Sequence, residues 1–262
     1  MFAEERQERI YQIVNARSSV KVSELSDELA ISEVTIRRDL EELQRQKRLI
    51  RTHGGAMSTY SAGTAIVFSQ LISKDAHLKR CIAQCAYDMI QEDDTILLDT
   101  SSTVNELVHL IATGTKNLRV ITTSIVAIQA LQKVEHCTVQ IVGGEINYAH
   151  DTVEGSAACR YISNLRVDKA FIGINGIDET FGFSTPRYPD ADIKDAMLQS
   201  AHCSFVLADH TKLCKTYLAH INTPDYLITD RMMPGFCYES LDGTAVHFAA
   251  DDAPDGAAED TP

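Results

Sequence analysis

One stretch constrains this 262-residue chain more than any other: Ile31 to Ala56, ISEVTIRRDLEELQRQKRLIRTHGGA. Ser32 stands where an N-cap belongs, its side-chain oxygen able to accept from a free N–H of the first helical turn. Ile36, Leu40 and Leu43 follow at spacings of four and three and so share one helix face. At about 100° per residue, Arg38 and Arg45 lie nearly opposite that face, with Thr35 to one side and Arg37 on the other flank. An apolar stripe backed by Thr and Arg suits a helix that enters the DNA major groove. Arg reads guanine edges or grips phosphates, and Thr serves either. Val22 to Ala30 reads as a shorter helix capped by Ser23, with Leu25 and Leu29 inward. Only Ile31 and Ser32 separate the two, as in a helix-turn-helix. Glu4 to Ala16 reads as an earlier helix with Ile10, Ile13 and Val14 inward. Leu49 to Arg51 predicts a short strand and Gly54-Gly55 a tight reversal, together a small wing bearing Lys47, Arg48, Arg51 and His53. Taken alone, the R-R-D-L helix reads as an ordinary amphipathic helix with a solvated charged face. The helix pair, the cap and the basic hairpin together point to DNA.

Net charge is −13, which at first argues against nucleic acid. Residues 1–57, however, hold ten Lys/Arg and ten Asp/Glu, so the remainder carries the whole excess. From Arg37 to Arg51 there are six basic and three acidic residues. An acidic protein with a locally basic reading surface suppresses non-specific adhesion and depends on a few placed contacts. No run approaches the ~18 apolar residues of a membrane span, and MFAEERQER is no secretory signal. The seven cysteines form no CxxC pair and predict reduced thiols in a cytoplasmic protein. Cys81 and Cys85 are four apart on a helix but have no histidine neighbours to complete a metal set, so neither metal nor cofactor is expected.

Residues 58–75 read as a linker and 249–262 as an acidic disordered tail, leaving 1–57 and 76–248 as domains. Beyond a helix at Ala76–Ile90, strands and helices alternate: Thr95–Leu98, Val104–Ile111, Val120–Thr122, Ile125–Gln132, Val139–Val142, Ala157–Asn164, Lys169–Ile174, Ala191–Ala201, Ser204–Ala208 and Tyr226–Thr229. Short β-branched runs alternating with helices predict a parallel sheet covered on both faces. Such sheets bind ligands outside the carboxyl ends of their strands. Five strand ends therefore stand out: Asp99, Thr100, Ser101, Ser102 and Thr103; Thr123 and Ser124; Gly144 and Glu145; Asp168 with Gly173 and Gly176; and Lys212 with Asp209. Hydroxyls and free N–H groups at a helix start cradle phosphate. Glu145 suits sugar hydroxyls, and Lys212 a negative charge. Each alone is more simply a capped turn or a surface charge; together they fit one phosphorylated polyol.

SELSDELAISEVTIRRDLEEL followed by RTHGGA resembles the DeoR family of bacterial transcriptional regulators. LDTSST, TTS, GGE, EGSA, DKAFIGINGID, GFST and LADHTK then follow the order of that family's sensor domain, so the resemblance covers residues 4 to 230. Departures are Lys47, Ser101 and His210, where the family has Gly, Gly and Ser. The resemblance implies an α/β chain: an N-terminal winged helix-turn-helix domain plus a C-terminal Rossmann-like α/β sensor domain related to ribose-5-phosphate isomerase. It implies a non-enzymatic repressor of a carbohydrate catabolic operon, with operator DNA and a phosphorylated sugar or sugar acid as partners. The expected DNA contacts are Ser32, Thr35, Arg37, Arg38, Arg45, Arg51 and His53. A homodimer or homotetramer is expected because symmetric operators need two recognition helices. The rival reading is a sugar-phosphate isomerase or deaminase with an added N-terminal domain, using Glu145, Asp168 and Lys212 as acid, base and clamp. A third is a constitutive DNA-binding protein with an empty sensor domain.

Overall fold

A computed structural model describes residues 3–17, 19–46, 48–52, 54–58 and 75–249. Apart from the loop 147–151, the chain divides into one compact unit up to residue 73 and a second from residue 74 onward. Lys47, His53 and nearly all of the linker and tail lie outside the described residues.

The first unit runs α1 (Ala3–Arg17), β1 (Ser19–Lys21), α2 (Val22–Leu29), α3 (Glu33–Arg45), β2 (Leu49–Thr52) and β3 (Gly55–Ser58). Ile10, Val14, Leu25, Ile36, Leu40, Leu43 and Leu49 form its core, which is the face that the three-and-four spacing predicts. Ser32 caps α3 by accepting the Thr35 N–H at 3.4 Å. Ser23 does not cap α2. That helix starts at Val22, and the Glu24 carboxylate accepts the Lys21 N–H at 3.2 Å instead. Ala30 adopts a left-handed φ of 53°, which turns the chain toward α3. β2 and β3 pair antiparallel as a hairpin, and β1 adds a third strand with Lys21 opposite Gly55.

The second unit is a seven-stranded, wholly parallel sheet with helices on both faces. Its elements are α4 (Ala76–Asp88), β4 (Thr95–Leu98), α5 (Ser102–Thr113), β5 (Leu118–Thr122), α6 (Ile125–Leu131), β6 (Cys137–Ile141), β7 (Glu145–Asn147), β8 (Thr152–Glu154), α7 (Ser156–Ser163), β9 (Val167–Gly173), β10 (Gly176–Asp178), β11 (Gly182–Thr185), α8 (Tyr188–Ser200), β12 (Ala201–Leu207), β13 (Ala219–Ile221), β14 (Tyr226–Thr229) and β15 (Ala245–Phe248). The main sheet has the order β15-β14-β12-β9-β4-β5-β6, and β10-β11-β13 form a small antiparallel sheet. Successive strand residues point to opposite faces, so the core is two layers. Leu97, Ala170, Ile172 and Val206 pack with α7 and α8. Ile96, Leu98, Phe171 and Phe205 pack with α4, α5 and α6. Chain order runs outward from β4 through β5 to β6, then returns to β9 on the other side of β4 and continues outward to β15. The carboxyl ends of β4 and β9 therefore flank a topological switch point, where a crevice opens.

Candidate nucleic-acid interface and ligand pocket

On α3 the outward side chains carry an alternation of charge. The Arg37 guanidinium meets Glu33 at 2.7 Å, Arg45 meets Glu42 at 2.7 Å, and Arg51 reaches from β2 to Glu41 at 2.6 Å. The hydrogen bond from Arg45 holds the Glu42 carboxyl below its ordinary value. Arg48 meets Glu8 at 2.6 Å and lies 4.0 Å over the Tyr11 ring. Arg6 grips the buried Asp39 from α1 with two nitrogens, locking α1 against α3. Arg38 is exposed and has no ion-pair partner among the described residues. The Thr35 hydroxyl lies 3.0 Å from that of Ser32, so it belongs to the cap as well as to the outward flank. The arginines of α3 and the wing thus share one unit, but three of the four arginines among the expected contacts are held by carboxylates.

The second site is at the switch point, and Asp99 is its hub. The sequence places Asp99 one residue past β4, where its Oδ1 accepts the Ser101 N–H at 2.8 Å and turns the chain into α5. Ser101 then caps the helix by accepting the Val104 N–H at 3.2 Å. Asp99 Oδ2 accepts the Gly173 N–H at 2.8 Å, from the end of β9, and the Lys194 ammonium at 2.6 Å. Lys194 is buried, and Asp190 lies 3.4 Å away on the same helix. Burial pushes this ammonium down, but the charges of Asp190 and Asp99 outweigh it and hold the lysine above its ordinary value. Thr185 donates to Asp190 at 2.5 Å, and Arg187 meets Glu154 at 2.6 Å. Thr100 donates to Thr152 at 2.8 Å. Asp99, Thr100, Thr123, Thr152, Glu154, Asp190 and Lys194 line a small cavity.

Other expected residues lie elsewhere. Ser124 caps α6 by accepting the Ala127 N–H at 3.1 Å. Ser102 and Thr103 form the first turn of α5, with Thr103 buried. Gly144 packs so tightly beneath Glu154 and Val153 that a Cβ would meet backbone, which makes it a packing glycine. Glu145 is exposed at the start of β7 and does not line the cavity. Gly176 opens β10 in the small sheet. Asp168 is at the wrong end: it is the second residue of β9 and accepts the Thr95 N–H at 2.8 Å, on the amino edge of the sheet. A residue at the start of a parallel strand cannot reach the edge where the strands finish. Lys212 sits in a short 3-10 turn past β12 and does not line the cavity.

Lys212 instead neighbours a buried lysine absent from the sequence reading, Lys79 of α4. Burial pushes the Lys79 ammonium down, Asp209 opposes that, and the like charge of Lys212 adds to it. Lys194, Asp190, Glu154 and Thr152 were also not singled out. One signal existed for Lys194: Ala191, Met197 and Leu198 are three and four residues away, so the lysine sits on the apolar face of its helix.

Two family models match the chain. The DeoR-like helix-turn-helix domain matches residues 6–62, and the DeoR C terminal sensor domain matches residues 74–231. The HTH-type transcriptional repressor GlcR of Bacillus subtilis is 32% identical over 98% of this chain and 99% of that protein. The lactose phosphotransferase system repressor of Staphylococcus epidermidis is 30% identical over 80% of this chain and 84% of that protein. Ribose 5-phosphate isomerase A of Methanocaldococcus jannaschii has a TM-score of 0.39 at 19% identity, over 53% of this chain and 55% of that one. With a capped helix-turn-helix and wing at one end and the matching sensor domain at the other, this chain belongs to the DeoR family of transcriptional regulators.

Proposed function

We propose that the protein represses a carbohydrate catabolic operon and is released from its operator by a phosphorylated sugar or sugar acid. The names of its repressor relatives support the first half. The observation that carries the second is the hub at the switch point: a capped helix start, Ser101–Thr103, beside a cavity lined by Asp99, Glu154, Asp190 and Lys194. Lys194 and Arg187 are already neutralised by carboxylates, so this part of the pocket takes hydroxyl groups rather than an anion. The phosphate goes to the helix start, where free N–H groups favour anions, with Lys79 and Lys212 supplying charge. The site binds its ligand unchanged. Asp99 already accepts hydrogen bonds from Lys194, Gly173 and Ser101, so both of its oxygens are engaged. Two recognition helices are needed to read a symmetric operator, so the working form is a homodimer or homotetramer in the cytoplasm.

A thermal-shift screen of phosphorylated sugars and sugar acids against their unphosphorylated parents tests this reading. A ligand at ~100 times its dissociation constant stabilises the state it binds by about 2.7 kcal/mol. Equal shifts from the unphosphorylated parents reject the phosphate, and steady turnover of any of them moves the protein to the isomerase class.

A further inference from the structure

Val34 is 75% exposed, the most exposed of the large apolar side chains among the described residues and one that the core of its unit does not use. Single exposed apolar residues are ordinary on protein surfaces; the position of this one is not. Val34 is the second residue of α3, in the first turn after the Ser32 cap. It shares a helical stripe with Arg38 four residues on, Glu41 seven on and Arg45 eleven on, all exposed, and the stripe lies opposite buried Ile36, Leu40 and Leu43. Local helix stability does not ask for it, since valine forms helix less readily than alanine or the charged residues beside it. Recognition helices meet base edges with their N-terminal residues. The one apolar feature on the major-groove edge of a base pair is the C5-methyl group of thymine.

We propose that Val34 is a specificity-determining residue that packs its two methyl groups against the C5-methyl of a thymine in each operator half-site, one turn before Arg38. The inference rests on α3 being the helix that enters the groove. Thr35 is turned to the cap hydroxyl and Glu33 to Arg37, so Val34 is left as the first-turn group free to meet a base.

The test uses the full-length protein and duplexes selected by it from a randomised pool, with each thymine of the selected duplex replaced in turn by deoxyuridine, which lacks only the methyl. At one position in each half-site, demethylation is expected to weaken wild-type binding about three- to fivefold, the worth of burying one methyl group. Val34→Ser should show the same loss on the thymine duplex and no further loss on demethylation, with its unfolding midpoint unchanged. The absence of any thymine whose methyl matters to wild type and not to Val34→Ser overturns the proposal. Arg38→Ala separates the two levels. If it loses the selected duplex while no Val34-dependent thymine exists, only the Val34 contact is wrong. If Arg38→Ala and Val34→Ser both bind the duplex like wild type, α3 is not the reading helix and the inference falls with it.

Discussion

At the scale of single residues, Lys194 and Arg38 are opposites. Lys194 is a buried cation fixed by two carboxylates. Removing one partner of such a group strands the others, at a cost of about 3–5 kcal/mol. Lys194→Met should therefore lower the unfolding free energy of the sensor domain, read from urea denaturation, by that amount; a midpoint near wild type would show that Asp99 and Asp190 relax freely. The pH dependence has a definite sign. The folded lysine is held above its ordinary value, so its contribution is fully present below the unfolded pKa and is lost only as pH rises through the folded one. Stability attributable to Lys194 is thus flat from neutral to mildly alkaline pH and falls at strongly alkaline pH, which denaturation at stepped pH with Lys194→Met as reference will read. Arg38, exposed and without an ion-pair partner among the described residues, has no such structural duty. Arg38→Ala should leave the unfolding midpoint unchanged yet cost about 1–3 kcal/mol on the selected operator, if it reads a base.

At the scale of elements, the wing and the helix that follows β4 each depend on a close approach. Gly55 lies opposite Lys21 in the three-stranded sheet, where a Cβ would meet the Val20 carbonyl oxygen. Gly55→Ala must shift one strand, an overpacking cost of about 1–3 kcal/mol. Calorimetry should show the N-terminal unit melting earlier while the sensor transition stays in place. Arg51 connects β2 to α3 through Glu41, an exposed pair worth little to stability. If Arg51 trades Glu41 for a phosphate on binding, Arg51→Ala weakens all DNA sequences alike and reduces the salt slope by about 0.9. A sequence-selective loss would make it a base contact instead. At Gly173, a Cβ would collide with the Ser101 side chain. Gly173→Ala should push Ser101 off its cap, at a cost of ~1 kcal/mol, and abolish the ligand-induced thermal shift.

At the scale of the whole molecule, the proposed repressor is a linkage between two ligands. Typical coupling of about 1–3 kcal/mol changes operator affinity roughly 5- to 150-fold. Reciprocity requires operator DNA to weaken effector binding by the same factor, so calorimetric titration of effector with and without operator is a closed check. Lys212→Ala and Ser102→Ala should keep operator binding and blunt its release by the phosphorylated effector. A wild-type response in both would remove the phosphate from the helix start of α5.

The division between what is local and what is not follows these scales. The N-terminal unit was legible because a cap, a three-and-four spacing and a glycine reversal are short-range signals, and α3 with its Ser32 cap follows them directly. Ser23 misled because a carboxylate three residues past the helix start, Glu24, competes for the same free backbone groups. β1 went unread because three residues, Ser19–Lys21, are too few to carry a period. The parallel strands announced themselves as β-branched runs, whereas β10, β11 and β13 are three or four residues each and only their mutual pairing makes them strands. Asp99 and the hydroxyls after it were legible because the turn that they build is local. Strand direction could have placed Asp168 too, since an acid at the start of a parallel strand belongs to the edge where strands begin. Lys194 was beyond local reading: a lysine in a helix is ordinarily solvated, and only the packing of α8 under the sheet brings it to Asp99, 95 residues away in sequence. Sequence alone determined the helices, most of the parallel strands and the hydroxyl residues that follow β4. Tertiary structure decided which charges meet there, because a buried ion pair exists only where the fold excludes the water that would otherwise hold each partner apart.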